Sequence, residues 1–181
     1  CFIVEPFIGV GGFMPATREY LQTARELTHK HGVVLIFDEV IAGFRFRAGN
    51  AGALYDLQPD LATFGKIIGG GMPVAAVAGR SEIMGLVGRE GGSRVKFSGG
   101  TYSAHPASLL AASTMLTYLI DHEAQISPRL AELGEKARRT MLEAFAGEGI
   151  NVRCTGRWNE DLTGSSMFML HFPYERDADL D

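Results

Sequence analysis

Apolar runs and amphipathic stretches alternate along the 181 residues of this chain, and the alternation predicts strands and helices in turn. Cys1-Phe2-Ile3-Val4 reads as a strand, followed by a loop marked by Gly9, Gly11, Gly12 and Pro15. Thr17 is placed to cap a helix whose apolar positions Tyr20, Leu21, Ala24 and Leu27 repeat at helical spacing, with Gly32 as the stop. Residues 33–38 run Val-Val-Leu-Ile-Phe-Asp without polar alternation, the pattern of a strand covered on both faces in a parallel sheet. Short strands follow at 61–64 and 74–78, the second tied off by Gly79-Arg80. Ser81 is read as the cap of a short helix through Val87, and glycines 91, 92, 99 and 100 bracket a loop and short strand at 95–97.

The second half of the chain is mostly helical. One long helix is predicted over about 106–121. Ser127-Pro128 reads as the start of another, an N-cap with proline in the first helical position. Leu130, Leu133, Ala137, Met141 and Phe145 mark one face of it, and Gly147 and Gly149 end it. Residues 150–154 and 166–172 read as strands of a following region. The strand–helix–strand order implies right-handed crossovers and a parallel or mixed sheet with helices on both faces, an α/β architecture. The best domain boundary lies near 121–127, between the two long helices, dividing the chain into 1–122 and 123–181.

Composition narrows the function classes. Hydrophobic residues make up 46% of the chain, enough for a packed core. Seventeen Lys and Arg against 21 Asp and Glu give a net charge of −4 and no basic stripe, so nucleic acid is not an expected partner. Two cysteines, Cys1 and Cys154, suggest neither a disulfide framework nor a metal site. No apolar run reaches membrane-spanning length, and the chain opens directly into a strand, with no leader-like segment. A cytoplasmic segment of a longer polypeptide is the expectation.

The candidate chemistry sits at strand ends. The run 33–37 ends in Asp38, and Lys66 follows 28 positions later, after the second apolar run and before Gly69, Gly70 and Gly71. Ligands of such sheets bind beyond the carboxyl ends of the strands. An acid and a lysine delivered there are what pyridoxal phosphate chemistry requires: the amine forms the Schiff base, and the acid keeps the pyridine nitrogen protonated. Taken singly, each residue has a plainer reading. A lysine after a strand is often a solvated surface residue, and Asp38 could be a helix cap or a metal ligand. No histidine pair or carboxylate cluster supports a metal. Ile67 stands where a phosphate loop needs Ser or Thr, and no Gly-x-Gly-x-x-Gly pattern follows a strand. Thr101 could be a turn residue only, His105 before a proline reads as structural, and Arg45 and Arg47 could attract a substrate carboxylate or face solvent.

Five ordered segments carry a resemblance. Ile3-Val4-Glu5-Pro6, Leu35-Ile36-Phe37-Asp38-Glu39-Val40 with Gly43-Phe44-Arg45, Gln58-Pro59-Asp60-Leu61, Phe64-Gly65-Lys66-Ile67-Ile68-Gly69-Gly70-Gly71-Met72-Pro73 and Gly100-Thr101 resemble the class III aminotransferases, and within them the glutamate-1-semialdehyde 2,1-aminomutase branch. The resemblance covers nearly all of this chain but only the middle of the family's length. It implies the large domain of a fold-type I pyridoxal-phosphate transferase in part (1–122), and the linking helix and start of a small α+β C-terminal domain (123–181).

The resemblance also implies residue roles. Lys66 resembles the catalytic lysine that forms the internal aldimine and then moves the substrate proton. Asp38 resembles the partner of the pyridinium nitrogen, and Val40 the apolar residue packed on one ring face. Thr101 resembles the hydroxyl that reaches the phosphate of a neighbouring subunit's cofactor, which implies a homodimer with shared sites. Glu5 resembles an acid of the family that lies near the Asp38 strand. The implied reaction transfers or migrates an amino group of a small-molecule substrate. The alternatives are a non-catalytic α/β assembly domain or another fold-type I enzyme, a decarboxylase or racemase. Two departures bear on the substrate. Val10 stands where ornithine- and GABA-type relatives carry a glutamate, which argues against their dual-substrate switch. Tyr102-Ser103-Ala104-His105-Pro106 keeps the serine and proline of the aminomutase pattern but changes its middle. The family's phosphate-binding turn is implied to lie upstream of Cys1, so the segment by itself is expected to be inactive.

Overall fold

The computed structural model describes residues 1–87, 100, 103–156 and 166–173. The predicted strand at 95–97 and Thr101 lie outside the described residues. In chain order the strands and helices are β1 (Phe2–Val4), β2 (Phe7–Ile8), β3 (Met14–Pro15), α1 (Arg18–Lys30), β4 (Leu35–Asp38), β5 (Leu61–Phe64), β6 (Ala76–Gly79), α2 (Ser81–Met84), α3 (Pro106–Asp121), α4 (Glu123–Gly147), β7 (Arg153–Cys154) and β8 (Leu170–His171). Two 3-10 turns, Ala51–Tyr55 and Lys66–Gly69, lie before and after β5.

Four strands form the main sheet in the order β1-β4-β5-β6. The pairs β1·β4 and β4·β5 are parallel, and β6 joins the edge antiparallel. The sheet is therefore mostly parallel, as the unalternating apolar run at 33–37 predicts. Leu35 and Phe37 are fully buried in a core with Phe7, Leu21, Tyr55, Leu57 and Ala62. The Phe7 ring stacks on Phe46 at 4.5 Å between centroids, and Tyr55 Oη donates to the Ala16 carbonyl at 3.0 Å. These contacts hold the β2–β3 hairpin and the 51–55 turn against the same side of the sheet.

Helix α1 begins and ends where its sequence says. Thr17 Oγ1 accepts from the Tyr20 N–H at 3.2 Å, satisfying one of the orphan donors of the first turn. At the other end Gly32 takes φ +64°, its N–H donates to His29 O, and Val33 N–H donates to Thr28 O at 2.8 Å. That pair of bonds is a Schellman closure, which needs a left-handed residue and so favours glycine. Of the predicted apolar face, Leu21 is fully buried, while Tyr20 and Leu27 remain about half exposed.

Three sequence expectations change. Ser81 is the first residue of α2 rather than its cap; Arg80 occupies the cap position, with no side-chain bond. Helix α4 starts at Glu123, so Pro128 lies inside it. The first turn closes from His122, whose carbonyl accepts the Gln125 and Ile126 N–H groups at 2.9 Å, and a proline within the second turn removes only one further bond. The segment 7–15, read as loop, contains the β2–β3 hairpin, with Phe7 paired to Pro15 and Ile8 to Met14. Residues 153–154 and 170–171 do pair, antiparallel, as a separate two-stranded sheet. Among the described residues no helix is long and apolar enough to cross a membrane.

The amino end of the sheet is fastened by one carboxylate. Asp60 Oδ2 accepts from Leu35 N–H at 2.8 Å and from Arg25 at 3.0 Å, and Oδ1 accepts from Arg80 at 3.1 Å. Its own N–H donates to Leu35 O, and its carbonyl accepts from Arg80 N–H. One buried residue thus joins α1, β4, β5 and β6. The guanidinium and N–H donors hold its carboxyl below the usual range despite the opposing effect of burial. Asp60→Ala orphans the Leu35 N–H and leaves Arg25 half-buried without its partner, whereas the exposed Arg80 rehydrates. The expected loss is about 2–3 kcal/mol of stability, read as a lower urea midpoint at neutral pH. Asp60→Asn keeps an acceptor for Leu35 and is expected to recover part of that loss.

Candidate functional site

The parallel pairing of β4 and β5 brings their carboxyl ends to the same edge. Asp38, the last residue of β4, is in register with Thr63 of β5. Asp38 Oδ1 accepts from Thr63 Oγ1 at 3.2 Å and from Val40 N–H at 3.1 Å. Both bonds fall on one oxygen. Among the described residues Oδ2 has no hydrogen-bond partner, and the residue is only partly buried. The carboxylate is thus fixed in direction with one oxygen left to meet a ligand donor.

Lys66 stands three residues beyond Thr63, at the start of the second 3-10 turn. The residue is exposed and its amine has no partner among the described residues. Its φ is +50°, a left-handed conformation that costs a non-glycine residue about 1–3 kcal/mol and persists only where the surroundings impose it. The surroundings here are tight. Ile68 is buried beneath the turn, and a Cβ added at Gly70 would meet the Ala111 carbonyl of α3 at 3.1 Å. Gly70 itself has φ +58°, so both its conformation and its closeness to α3 require the missing side chain.

Val40 completes the group. A Cβ at Gly65 would lie 3.2 Å from Val40 Cγ1, so the valine sits against the residue that precedes Lys66. Three of the four predicted site residues, Asp38, Val40 and Lys66, are therefore brought to one end of the sheet. Thr101 lies outside the described residues. Glu5 follows β1, whose Val4 pairs with Phe37, so it shares that end; its Oε2 accepts the Gly9 N–H at 3.0 Å and so holds the 5–9 turn. Arg45 Nε donates to Ile41 O at 2.6 Å, a staple within its own loop, while the buried Arg47 Nε has no partner among the described residues. His105 caps α3, its Nδ1 accepting from Ser108 N–H at 3.3 Å, which is a structural role. No group of three or more His, Cys, Asp or Glu suited to a metal occurs among the described residues.

Two residues of the site escaped the sequence reading. Thr63 aligns Asp38, a role visible only once the β4–β5 register is known. Glu39 lies between Asp38 and Val40 and is 1% exposed. Its Oε2 accepts from Ala51 N–H at 2.6 Å, the Gly52 N–H also favours its charged form, and among the described residues its Oε1 is buried without a partner. Burial raises its pKa from 4.5 to about 7, the two backbone donors opposing the shift without cancelling it.

Comparisons with known proteins bear on the family and the fold. The sequence model of the family described as Aminotransferase class-III matches residues 1–157. The chain is 46% identical over 154 residues to a glutamate-1-semialdehyde 2,1-aminomutase of Methanoculleus marisnigri, covering 84% of this chain and 35% of that protein. A protein of the same name from Sulfurihydrogenibium sp. is 46% identical over 138 residues, covering 76% of this chain and 30% of its own length. Among solved structures, an omega-transaminase from Sphaerobacter thermophilus superposes with a TM-score of 0.79 at 36% identity, over 94% of this chain and 36% of its own. A β-phenylalanine aminotransferase from Variovorax paradoxus superposes with a TM-score of 0.74 at 30% identity, over 94% of this chain and 37% of its own. The chain spans about a third of the length of the relatives it matches. The fold is that of a fold-type I enzyme in part.

The buried Glu39 generates a pH prediction. Between pH 4.5 and about 7 the native state keeps a proton that the unfolded chain has released, so this group's contribution to stability falls as pH rises through that window and is level above it. Asp60 acts oppositely and elsewhere: its lowered pKa contributes stability that is lost as pH falls below its ordinary value of 3.8. Glu39→Gln cannot ionise and is expected to flatten the decline between about pH 5 and pH 7. Urea melts across that range measure it, and an unchanged slope would assign the decline to other groups.

Proposed function

The chain belongs to the class-III aminotransferase family, and on that premise we propose that it carries the lysine and the strand-end acid of a pyridoxal-phosphate enzyme that transfers or migrates an amino group. The observation that carries this reading is the state of Asp38, whose Oδ1 is held by two donors while Oδ2 is free among the described residues. The residues present fit the cofactor. A carboxylate so aimed suits a pyridinium N–H, an unpaired amine stands on the neighbouring strand end, and Gly65 leaves room for Val40 where a larger residue would crowd it. When bound, pyridoxal phosphate supplies an electron sink for the carbon that bears the amino group.

The chain's own residues then divide the work. Lys66 binds the cofactor through its amine and afterwards accepts and returns the substrate proton from the same Nζ. Its exposed position on a turn clamped by Ile68 and Gly70 gives the amine reach without moving its backbone. Asp38, as a carboxylate, holds the proton on the ring nitrogen, and Thr63 keeps its oxygens oriented. Val40 packs against the ring face. Thr101 donates to the phosphate of the partner subunit's cofactor, so that the enzyme is a homodimer with shared sites. Residues 1–122 belong to the cofactor domain, and 123–181 to the linking helix and the start of the small domain. The substrates are small amino and oxo compounds.

Two outcomes test this reading in the full polypeptide. Borohydride reduction after loading with pyridoxal phosphate is expected to place the pyridoxyl group on Lys66; peptide mapping to Lys30, Lys96 or Lys136 instead would refute it. Asp38→Ala is expected to slow substrate proton removal by about 10- to 100-fold, the equivalent of one charge-assisted hydrogen bond, with a smaller effect on cofactor binding. Near-normal turnover of Asp38→Ala would make the acid structural.

A further inference from the structure

Glu39 is the central residue of the turn that Asp38 Oδ1 closes onto Val40 N–H. Its polar groups are tied to three separate segments. The N–H donates to Thr63 O of β5 at 3.0 Å, the carbonyl accepts from Gly43 N–H at 2.9 Å, and Oε2 accepts from Ala51 N–H at 2.6 Å. The side chain is buried while its neighbours Asp38 and Val40 are partly open, so it is directed inward as they face the site. We propose that Glu39 is a positioning residue for the cofactor: its carboxyl group bolts the turn at 38–40 to the 3-10 turn Ala51–Tyr55, and thereby fixes the two side chains that meet the ring.

Core stability does not explain this residue. A carboxyl group buried with one oxygen unpartnered among the described residues is a poor filler, and an apolar side chain of similar volume would serve packing better. What the carboxyl group adds is direction. Asn50 already caps the 51–55 turn, its Oδ1 accepting from Ala53 N–H at 3.2 Å, so the turn does not need Glu39 for its start. The 2.6 Å bond to Ala51 instead links that turn to the strand end. The backbone that follows is crowded as well: a Cβ at Gly43 would lie 2.9 Å from Glu39 O and 2.7 Å from the Phe64 ring. Little play is left in the backbone between Asp38 and Gly43.

This inference rests on the cofactor reading, and the test separates the two. The full polypeptide is titrated with pyridoxal phosphate, following its affinity and the circular dichroism induced in the bound cofactor. A wild-type protein that gives no reducible adduct on Lys66 refutes the functional reading before any Glu39 variant is compared. With that adduct present, Glu39→Ala is expected to weaken cofactor binding by about 10-fold or more and to reduce the induced signal per bound cofactor, at a temperature where the cofactor-free protein is folded. Glu39→Gln, which still offers an oxygen to Ala51, is expected to stay within about 2-fold of wild type on both readouts. Wild-type behaviour of Glu39→Ala, or equal impairment of Glu39→Gln and Glu39→Ala, would overturn the proposal. If Glu39→Ala does not fold, Glu39→Asp takes its place: one methylene short of Ala51, it is expected to bind several-fold more weakly than Glu39→Gln, and parity between the two would overturn the proposal.

Discussion

The structure depends on the register between β4 and β5. A shift of one residue would turn Asp38 away from Thr63 and change which face of the strand each apolar residue covers. Two side-chain devices hold that register from opposite ends. At the amino end the Asp60 carboxylate accepts Leu35 N–H while its own N–H donates to Leu35 O. At the carboxyl end Thr63 donates to Asp38. Between them the four-residue strands supply few ladder bonds, so these fixed ends decide where Asp38 points.

The two ends differ in how their charges are settled. Asp60 is buried yet fully engaged by two guanidinium groups and a backbone N–H, and its carboxyl is held ionised. At the other end, among the described residues, Asp38 keeps an oxygen free, Lys66 has no partner, and Glu39 carries an orphaned oxygen. The open oxygen of Asp38 and the positive φ of Lys66 lie where the ligand is proposed to bind, while the Glu39 oxygen is buried behind them. Satisfied polar groups gather at the opposite end. A site that must receive a charged ring and a phosphate cannot have its donors and acceptors already paired, so the stabilising pairs are found away from it.

Much of this was legible in the sequence, and the limits have physical causes. The run 33–37 marks a parallel strand because it lacks alternation, although only one of its faces, that of Leu35 and Phe37, is fully buried while Ile36 is partly exposed; Thr17 and Gly32 mark the bounds of α1 because caps need specific side chains and dihedrals. Lys66 and Asp38 stood out because each follows such a strand. Ser127-Pro128 suggests a later start for α4, since a proline reads as a first helical residue, while the chain turns directly from α3 into α4 at His122. The β2–β3 hairpin was hidden by its glycines and by a length of two residues per strand. Thr63 and Glu39 could not be found from spacing at all. Their roles depend on register and on the 51–55 turn approaching from 12 positions away, neither of which leaves a periodic trace.

The motif Asp38-Glu39-Val40 acquires a physical reading from these contacts. Alternate residues face the site, and the one between them faces the core. An apolar residue at position 39 would pack, but it would leave the turn free to rock about the strand end, because dispersion contacts have no direction. A carboxyl oxygen gripping a particular N–H does not permit that motion, at the cost of a desolvated acid with one oxygen unpaired among the described residues. Asp60, at the far end of the adjoining strand, has its carboxylate bonded to Arg25, Arg80 and the Leu35 N–H. One short parallel pair thus carries both a rigid foundation and an unsaturated edge, and the separation of the two along β4 and β5 allows the lysine turn to be strained without loosening the sheet beneath it.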